Sequence, residues 1–552
     1  MDFVGSRSPI VEDCMSLSEP MRVNAWRLQW TRELAEQYWR GTYDADLEAA
    51  RLTSKSAELI TRALAVHLER GAHVAQLLAR DNSFDAPLAN AGYRSIRMDS
   101  GSIKLRSDRS STTHSTEERV DAVLSVEALC QLANDEIDGY FSCVRLMLKE
   151  GGIVVVTVPN NETLDQYLAL DPQTAALFHI RQHLRSFTAD TIDELLTRQG
   201  FKVEVLQTLE LTDAAFASCV GLESVLKAKP RLHLGSGAAL FVIGRFLTRA
   251  RGLPRAFGGL AACIAPVLPR RGGLRWRVRA ASARSRSVGH DDLARSHKWA
   301  AQFAKAALHA SERPPLRQVQ WLQPVVDRFW SSIAGTPMDE MSFGRVNGRH
   351  LLQVLLPWLK VEKQYLDYGA GDGSLVEYML EQGFSVAAWE PAAARREMLQ
   401  ARLAHHRHYL GALTDLPQAR FEGIFAIEVI EHVPRDNVAE FLGAMGAGLV
   451  PGGTLIISTP HEEDLAASMV YSPLSGAVFH RWQHLQSWTA ARLCTTLESC
   501  GFTCEKVYDV DFSARPVRLT VLAKPLAPAK VEKVGNTTLL VIARKAEAVA
   551  SC

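Results

Sequence analysis

Short apolar runs that end in glycine or proline alternate along this chain with stretches whose apolar residues recur every three or four positions. The succession is clearest in the second half. There "KQYLDYG" is a short run ending on glycine, "LVEYMLEQG" has helical spacing with a glycine stop, and "SVAAWEP" is again of strand type. "FEGIFAIEVI" and "GGTLIISTP" are continuous apolar runs bounded by Gly and Pro, the signature of strands buried on both faces. "AARLCTTLESCG" reads as a helix and "NTTLLVIARK" as a closing strand. Strands separated by helices require right-handed crossovers, which predicts an α/β fold built on a mostly parallel, doubly wound sheet.

The pattern occurs twice. Gln29-Trp30 returns as Gln320-Trp321, Tyr38-Trp39 as Phe329-Trp330 and Gly92-Tyr93 as Gly383-Phe384, all at an offset of 291. Further on the offset is 301: Glu127 matches Glu428, Gly151-Gly152 matches Gly452-Gly453, Pro159 matches Pro460, and Gly200-Phe201 matches Gly501-Phe502. The first copy therefore lacks ten residues between the two blocks. "FHIRQHLRSFTA" (178–189) and "FHRWQHLQSWTA" (479–490) share eight of twelve positions. Two Rossmann-like doubly wound domains are expected, each a mostly parallel sheet with an antiparallel final strand. The boundaries follow: an N-terminal extension at 1–28, a first domain at 29–246, a connector at 247–310 and a second domain at 311–547.

Composition narrows the picture a little. With 62 basic and 61 acidic side chains in 552 residues, no global polyanion partner is implied. The nine cysteines show no paired C-x-x-C spacing, which fits thiols in a reducing compartment and argues against a zinc knuckle. The N-terminus lacks a basic segment followed by an apolar run, and the longest apolar stretches fall short of a membrane span. The expected location is cytoplasmic, with peripheral attachment at the inner membrane face as a further option.

In a doubly wound sheet the ligand sits beyond the carboxyl ends of the strands, so the loop after the first strand is where chemistry should gather. Gly369, Gly371 and Gly373 alternate in "LDYGAGDGSL", where the lack of Cβ lets backbone N–H groups approach a ligand at a helix start. Glu390 ends the next strand 17 residues after Gly373, where a carboxylate can accept both hydroxyls of a ribose. These residues, with "GALTDLP", "FAIEVIEHV" and "LVPGGTLIISTP", resemble the class I S-adenosylmethionine-dependent methyltransferases from about Tyr365 to Lys545. The resemblance implies that Asp367 and the three glycines hold the methionine part and Glu390 the ribose. It also puts Ala412 and Leu413 against adenine, with Glu428 completing the cofactor site. The family often has an acid at position 412, so the adenine amino contact is either missing or supplied by Asp415. A nicotinamide enzyme would use similar glycines, but the acid two residues before the first Gly and the later segments favour the methyltransferase.

At the offset of 291, Asp367, Gly369, Gly371 and Gly373 become Gln76, Leu78, Arg80 and Asn82. Leu78 and Arg80 would fill the cofactor's space, and positive φ would cost either about 1–2 kcal/mol. Asp81 and Asp99 persist, yet the first copy is expected to have lost cofactor binding.

Methyl transfer to a hydroxyl needs the acceptor positioned and its proton removed. His432, with Glu431, is the candidate catalytic pair; the plain alternative is that His432 caps a helix or packs beneath the cofactor. E-x-x-E-H also resembles a metal motif of some O-methyltransferases, which would place magnesium or manganese on Glu428, Glu431 and His432. Many methyltransferases carry these letters without a metal, so S-adenosylmethionine is the cofactor expected and a divalent metal the lesser alternative. The first copy has Glu127, Cys130 and Gln131 at these places. His480 and His484 recur as His179 and His183, which favours a structural role, whereas Arg481, Trp482 and Trp488 differ from their counterparts and are candidates for acceptor contacts, with core packing the plainer role for the tryptophans.

Residues 245–286 hold eleven arginines and no acidic residue. Arginine among apolar and Trp side chains suits an anionic membrane surface, with nucleic acid as the weaker rival and a solvated linker as the plain alternative. The whole reads as a tandem methyltransferase acting on a small-molecule or glycan hydroxyl through its second copy, with a non-catalytic first copy. A non-catalytic cofactor-binding scaffold and a nucleic-acid methyltransferase are the competing readings.

Overall fold

The computed structural model describes residues 25–47, 57–58, 60–78, 83–98, 119–209, 231–232, 239–247, 314–522 and 537–546. Asp81, Asp99, Arg80, Asn82 and nearly all of the arginine-rich connector lie outside these residues.

In the second copy the strands β12 (Gln364–Tyr368), β13 (Ser385–Trp389), β14 (Tyr409–Leu413), β15 (Phe421–Ile427) and β16 (Leu449–Pro460) run parallel. The sheet order is β14-β13-β12-β15-β16-β21-β19-β20. The last long strand, β21 (Thr538–Lys545), inserts antiparallel between β16 and β19 (Phe502–Asp511), and β20 (Arg518–Val521) edges the sheet. The order reverses beside β12, between β12 and β15. Two apolar layers, one around Leu366, Ile424, Leu455 and Trp488 and the other around Leu375, Phe425, Ile456 and Leu540, cover opposite faces. That is why β15 and β16 read as unbroken apolar runs rather than alternating ones.

The first copy repeats this plan with β2 (His73–Leu77), β3 (Arg94–Met98), β4 (Val120–Val126), β5 (Leu148–Pro159), β8 (Phe201–Leu209), β9 (Arg231–Leu232) and β10 (Ala239–Phe246), in the order β3-β2-β4-β5-β10-β8-β9. Here too the final strand, β10, is antiparallel to both neighbours. Among the described residues the sheet ends at β3, with no partner for β14, the region where ten residues are lacking.

Each copy adds a small three-stranded sheet: β1 (Trp26–Arg27), β6 (Leu168–Leu170) and β7 (Ala176–His179) in the first, and β11 (Arg317–Gln318), β17 (Met469–Tyr471) and β18 (Ala477–His480) in the second. Thus β1, within the stretch read as an N-terminal extension, pairs with β7. The small sheets bring the copies together. The Ser472 hydroxyl donates to the buried Asp171 carboxylate, and these two are equivalent positions at the 301 offset. Equivalent residues can meet only on an axis relating the copies, so the chain is arranged as an isologous dimer would be. Helix α1 (Arg32–Asp44) presents Gly41 to Tyr471, whose ring lies where a Cβ on Gly41 would be, 2.2 Å away. No helix among the described residues is long and apolar enough to cross a membrane.

Candidate functional site

The exit of β12 builds a floor without side chains. Gly369, Gly371 and Gly373 take φ of 86°, 58° and 78°, values in the left-handed region that only glycine adopts cheaply. A Cβ on Gly369 would sit 2.7 Å from Val429. Gly373 caps helix α7 (Ser374–Glu381). The Gly371 amide donates to one Glu390 oxygen at 2.8 Å and the Ala392 amide to the other at 2.9 Å. Glu390 is therefore held against the loop at the place a ribose would approach, and burial raises its pKa. Asp367, 3% exposed at the end of β12, is pushed up to about 8 by burial and then by the charges of Glu390 and Asp372. A cationic ligand is what would let that carboxyl ionise at neutral pH.

This floor opens into a cleft of about 640 Å³ lined by Asp367, Gly369, Gly371, Trp389, Glu390, Glu428, Glu431 and His432. Gly373, Ala412 and Leu413 stand outside its lining. Asp415 is exposed and takes the Thr414 hydroxyl at 3.2 Å. The cleft thus gathers the residues expected to hold the methionine and ribose parts, while Ala412 and Leu413 lie on the neighbouring strand, paired with Ala388 and Trp389.

Beyond the floor lies a titratable cluster. Glu428 is held at φ 54° at the end of β15, receives the Ser458 hydroxyl at 2.8 Å, and is raised to about 8 by burial. Glu431 is 1% exposed, neither of its carboxylate oxygens has a hydrogen-bond partner, and burial followed by the Glu428 charge raises its pKa well above the usual range. His432 is held neutral, its pKa well lowered by burial and then by His484. Its Nε2 lies 3.9 Å from Glu431, its Nδ1 lies 3.4 Å from the Gln483 carbonyl, and its ring packs edgewise with Trp330 at 5.0 Å and His484 at 4.9 Å. His484 Nδ1 is bonded to Glu463 at 2.5 Å, with His480 stacked behind it at 4.5 Å.

The far side of the cleft comes from helix α5 (Gln323–Ile333) and the start of helix α6 (Phe343–Leu355), which supply Val326, Trp330, Ile333 and Phe343, together with Trp321 and Trp482. Of the three expected acceptor contacts, only Trp482 faces the cleft. Arg481 turns the other way and donates to the Leu168 and Gln166 carbonyls of the first copy. Trp488 is 1% exposed in the core beneath Arg492. His484, read as structural, does line the cleft. Trp321 and Trp330 stand out in the sequence only as repeat markers, and the Trp330 indole donates to Gln483 at 2.7 Å just as its mate Trp39 donates to Gln182 at 2.8 Å, so nothing local marks Trp330 as a cleft residue.

In the first copy Gln76 occupies the place of Asp367 and turns its amide inward to Asp85 at 2.9 Å. Leu78 adopts the left-handed turn of Gly369, at φ 59°, and so bears the cost expected of a side chain there; that side chain packs on the apolar layer of its sheet. The turn survives without glycine, and a side chain stands in it.

Fold and site together define a doubly wound α/β protein with a backbone-lined berth for an adenosyl cofactor. The chain belongs to the methyltransferase-domain family, whose sequence profile matches it twice, at residues 30–206 and 343–507. It is 33% identical over 101 residues to a ubiquinone biosynthesis O-methyltransferase of Bradyrhizobium sp. (strain ORS 278), which covers 17% of this chain and 38% of that protein. A second ubiquinone biosynthesis O-methyltransferase, from Alkalilimnicola ehrlichii, is 30% identical over 104 residues, covering 18% and 41%. The chain thus spans about two fifths of the length of the curated relatives it matches. Among solved structures, the Burkholderia thailandensis 1,6-didemethyltoxoflavin-N1-methyltransferase with bound S-adenosylhomocysteine aligns at 21% identity over 36% of this chain and 77% of that one, with a TM-score of 0.26.

Proposed function

We propose that the second copy transfers a methyl group from S-adenosylmethionine to a hydroxyl of a small molecule or glycan, and that the first copy is non-catalytic. The observation that carries this is one cleft in which the glycine floor with Asp367 and Glu390 continues directly into Glu431, His432 and three tryptophans. The relatives' naming as O-methyltransferases supports oxygen as the acceptor atom, and the tryptophan faces suit the flat or CH-rich surface of an aromatic ring or a sugar.

The acceptor oxygen attacks the methyl carbon in line, the carbon–sulfur bond breaks with its electron pair passing to sulfur, and the hydroxyl proton leaves to a base. Neutral His432 is positioned to take that proton. A divalent cation fits the same cluster: Glu431, His432 and His484 present donor atoms within 4.8 Å of one another, and Glu431 has two buried oxygens without partners. Such an ion would be held by those three residues and would lower the pKa of a hydroxyl bound beside it. His432 cannot serve as both ligand and base, so treatment with EDTA separates the readings: retained activity assigns the base role, and lost activity restored by magnesium or manganese assigns the ligand role.

Calorimetric titration of the full chain with S-adenosylmethionine should give one site, lost in Glu390→Ala. Two sites, or none, would overturn the proposal. Trp482→Ala should raise the acceptor KM about tenfold, the scale of one lost aromatic contact, while leaving cofactor affinity unchanged.

A further inference from the structure

The first copy keeps four residues of the cluster just described and changes two. At the 301 offset Glu428, Glu463, His480 and His484 are retained as Glu127, Glu162, His179 and His183, whereas Glu431 and His432 become Cys130 and Gln131. We propose that the first copy holds a zinc ion on Glu127, Cys130 and His183.

The outer arrangement is already in place. His183 Nδ1 is bonded to Glu162 at 2.6 Å, which orients the ring and turns Nε2 to within 3.8 Å of the Glu127 carboxylate. A histidine whose other nitrogen is held by a carboxylate is the usual support of a zinc ligand. His179 stacks on His183 at 4.7 Å and fixes the ring plane. The second copy repeats this support with Glu463, His480 and His484, so it has outlasted the loss of the glycine floor in the first.

The inner arrangement supplies the donors. Oxygen, sulfur and nitrogen from Glu127, Cys130 and His183 lie within 4.8 Å of one another. Ligands of a tetrahedral zinc, at bonds of about 2.0–2.3 Å, stand roughly 3.2–3.7 Å apart, so closure asks for side-chain shifts of about 1 Å or less. Cys130 is fully buried and its thiol now donates to the Glu127 carbonyl at 3.0 Å. Zinc would displace that proton, and the thiolate and the Glu127 carboxylate would together balance its two charges. Glu127 is the least buried of the three, at 21% side-chain exposure, and leaves the fourth position on the solvent side. The exchange of Glu431 for Cys130 replaces a hard oxygen donor with a soft sulfur one, which moves preference from magnesium or manganese towards zinc. The ion would join the end of β4 to the loop after β7, beside the face on which the copies meet.

Cobalt(II) titrated into the metal-free full chain reads the proposal directly, because only a thiolate ligand gives a near-ultraviolet sulfur-to-cobalt charge-transfer band. One equivalent should give that band, zinc should quench it, and Cys130→Ser should abolish it. Glu162→Gln, which leaves all three ligands in place, should weaken zinc binding 10- to 100-fold. Should the serine variant fail to fold, Glu127→Gln supplies the same comparison by weakening the band's titration. No band in the wild type, or a band that survives in Cys130→Ser, overturns the proposal. The cluster of Glu431, His432 and His484 carries no sulfur and cannot produce the band, so the outcome is independent of methyl transfer.

Discussion

At the level of single residues, the second copy holds acids whose burial has been left uncompensated. Asp367 titrates near 8 instead of 3.8, so the folded chain binds a proton that the unfolded chain releases, and stability falls as the pH rises from about 4 to 8. Thermal melts of the ligand-free protein should show this slope reduced in Asp367→Asn. Binding of cationic S-adenosylmethionine should strengthen as the pH rises through 8 in the wild type, and calorimetry should find that dependence reduced in the variant. Glu431 makes the same point through hydrogen bonding. Its buried oxygens lack partners, so Glu431→Leu should raise the melting temperature while lowering methyl transfer about 10- to 100-fold, the scale of losing a residue that supports His432 or a bound cation.

Among the elements, the β12–α7 turn is where the proposed difference between the copies can be tested. Gly369→Ala puts a Cβ 2.7 Å from Val429 at φ 86°. It should cut cofactor affinity at least tenfold with circular dichroism unchanged, since the strain of about 1–2 kcal/mol is local. The contrast with Leu78 is instructive. Positive φ is expected from the sequence to cost leucine about 1–2 kcal/mol, and Leu78 bears that cost at φ 59°. The sequence marked Leu78 as a side chain where the second copy has glycine, and the structure adds that the backbone beneath it keeps the same turn. Helix α5 enters the sequence reading only through the repeat marker Phe329-Trp330 and not as a wall of the cleft, because nothing local distinguishes a tryptophan that faces a cleft from one that faces a core.

For the whole molecule, the two copies pack as a dimer within one chain. Asp171 and Ser472 mark the axis, and Ser472→Ala should destabilise the protein by about 1–3 kcal/mol in denaturant unfolding, because Asp171 loses a buried donor. Gly41→Val forces a side chain into the Tyr471 ring and should split a single thermal transition into two as the copies melt apart. Arg481 belongs to this scale as well. Its difference from Ile180 looked like substrate specificity, yet it serves the junction by binding the Leu168 and Gln166 carbonyls.

The sequence by itself determined the fold class, the duplication and the glycine turn after the first strand of the second copy, because apolar periodicity, a fixed register and glycine at positive φ are local properties that each segment carries alone. Only the tertiary structure decided which side chains share the cleft. Trp330, Trp482 and His484 join Glu431 and His432 there, while Ala412 and Leu413 stay outside its lining. It alone also placed Glu127, Cys130 and His183 together across more than fifty residues of chain. Convergence of that kind depends on how strands and loops are packed against one another, and no spacing along the chain encodes it.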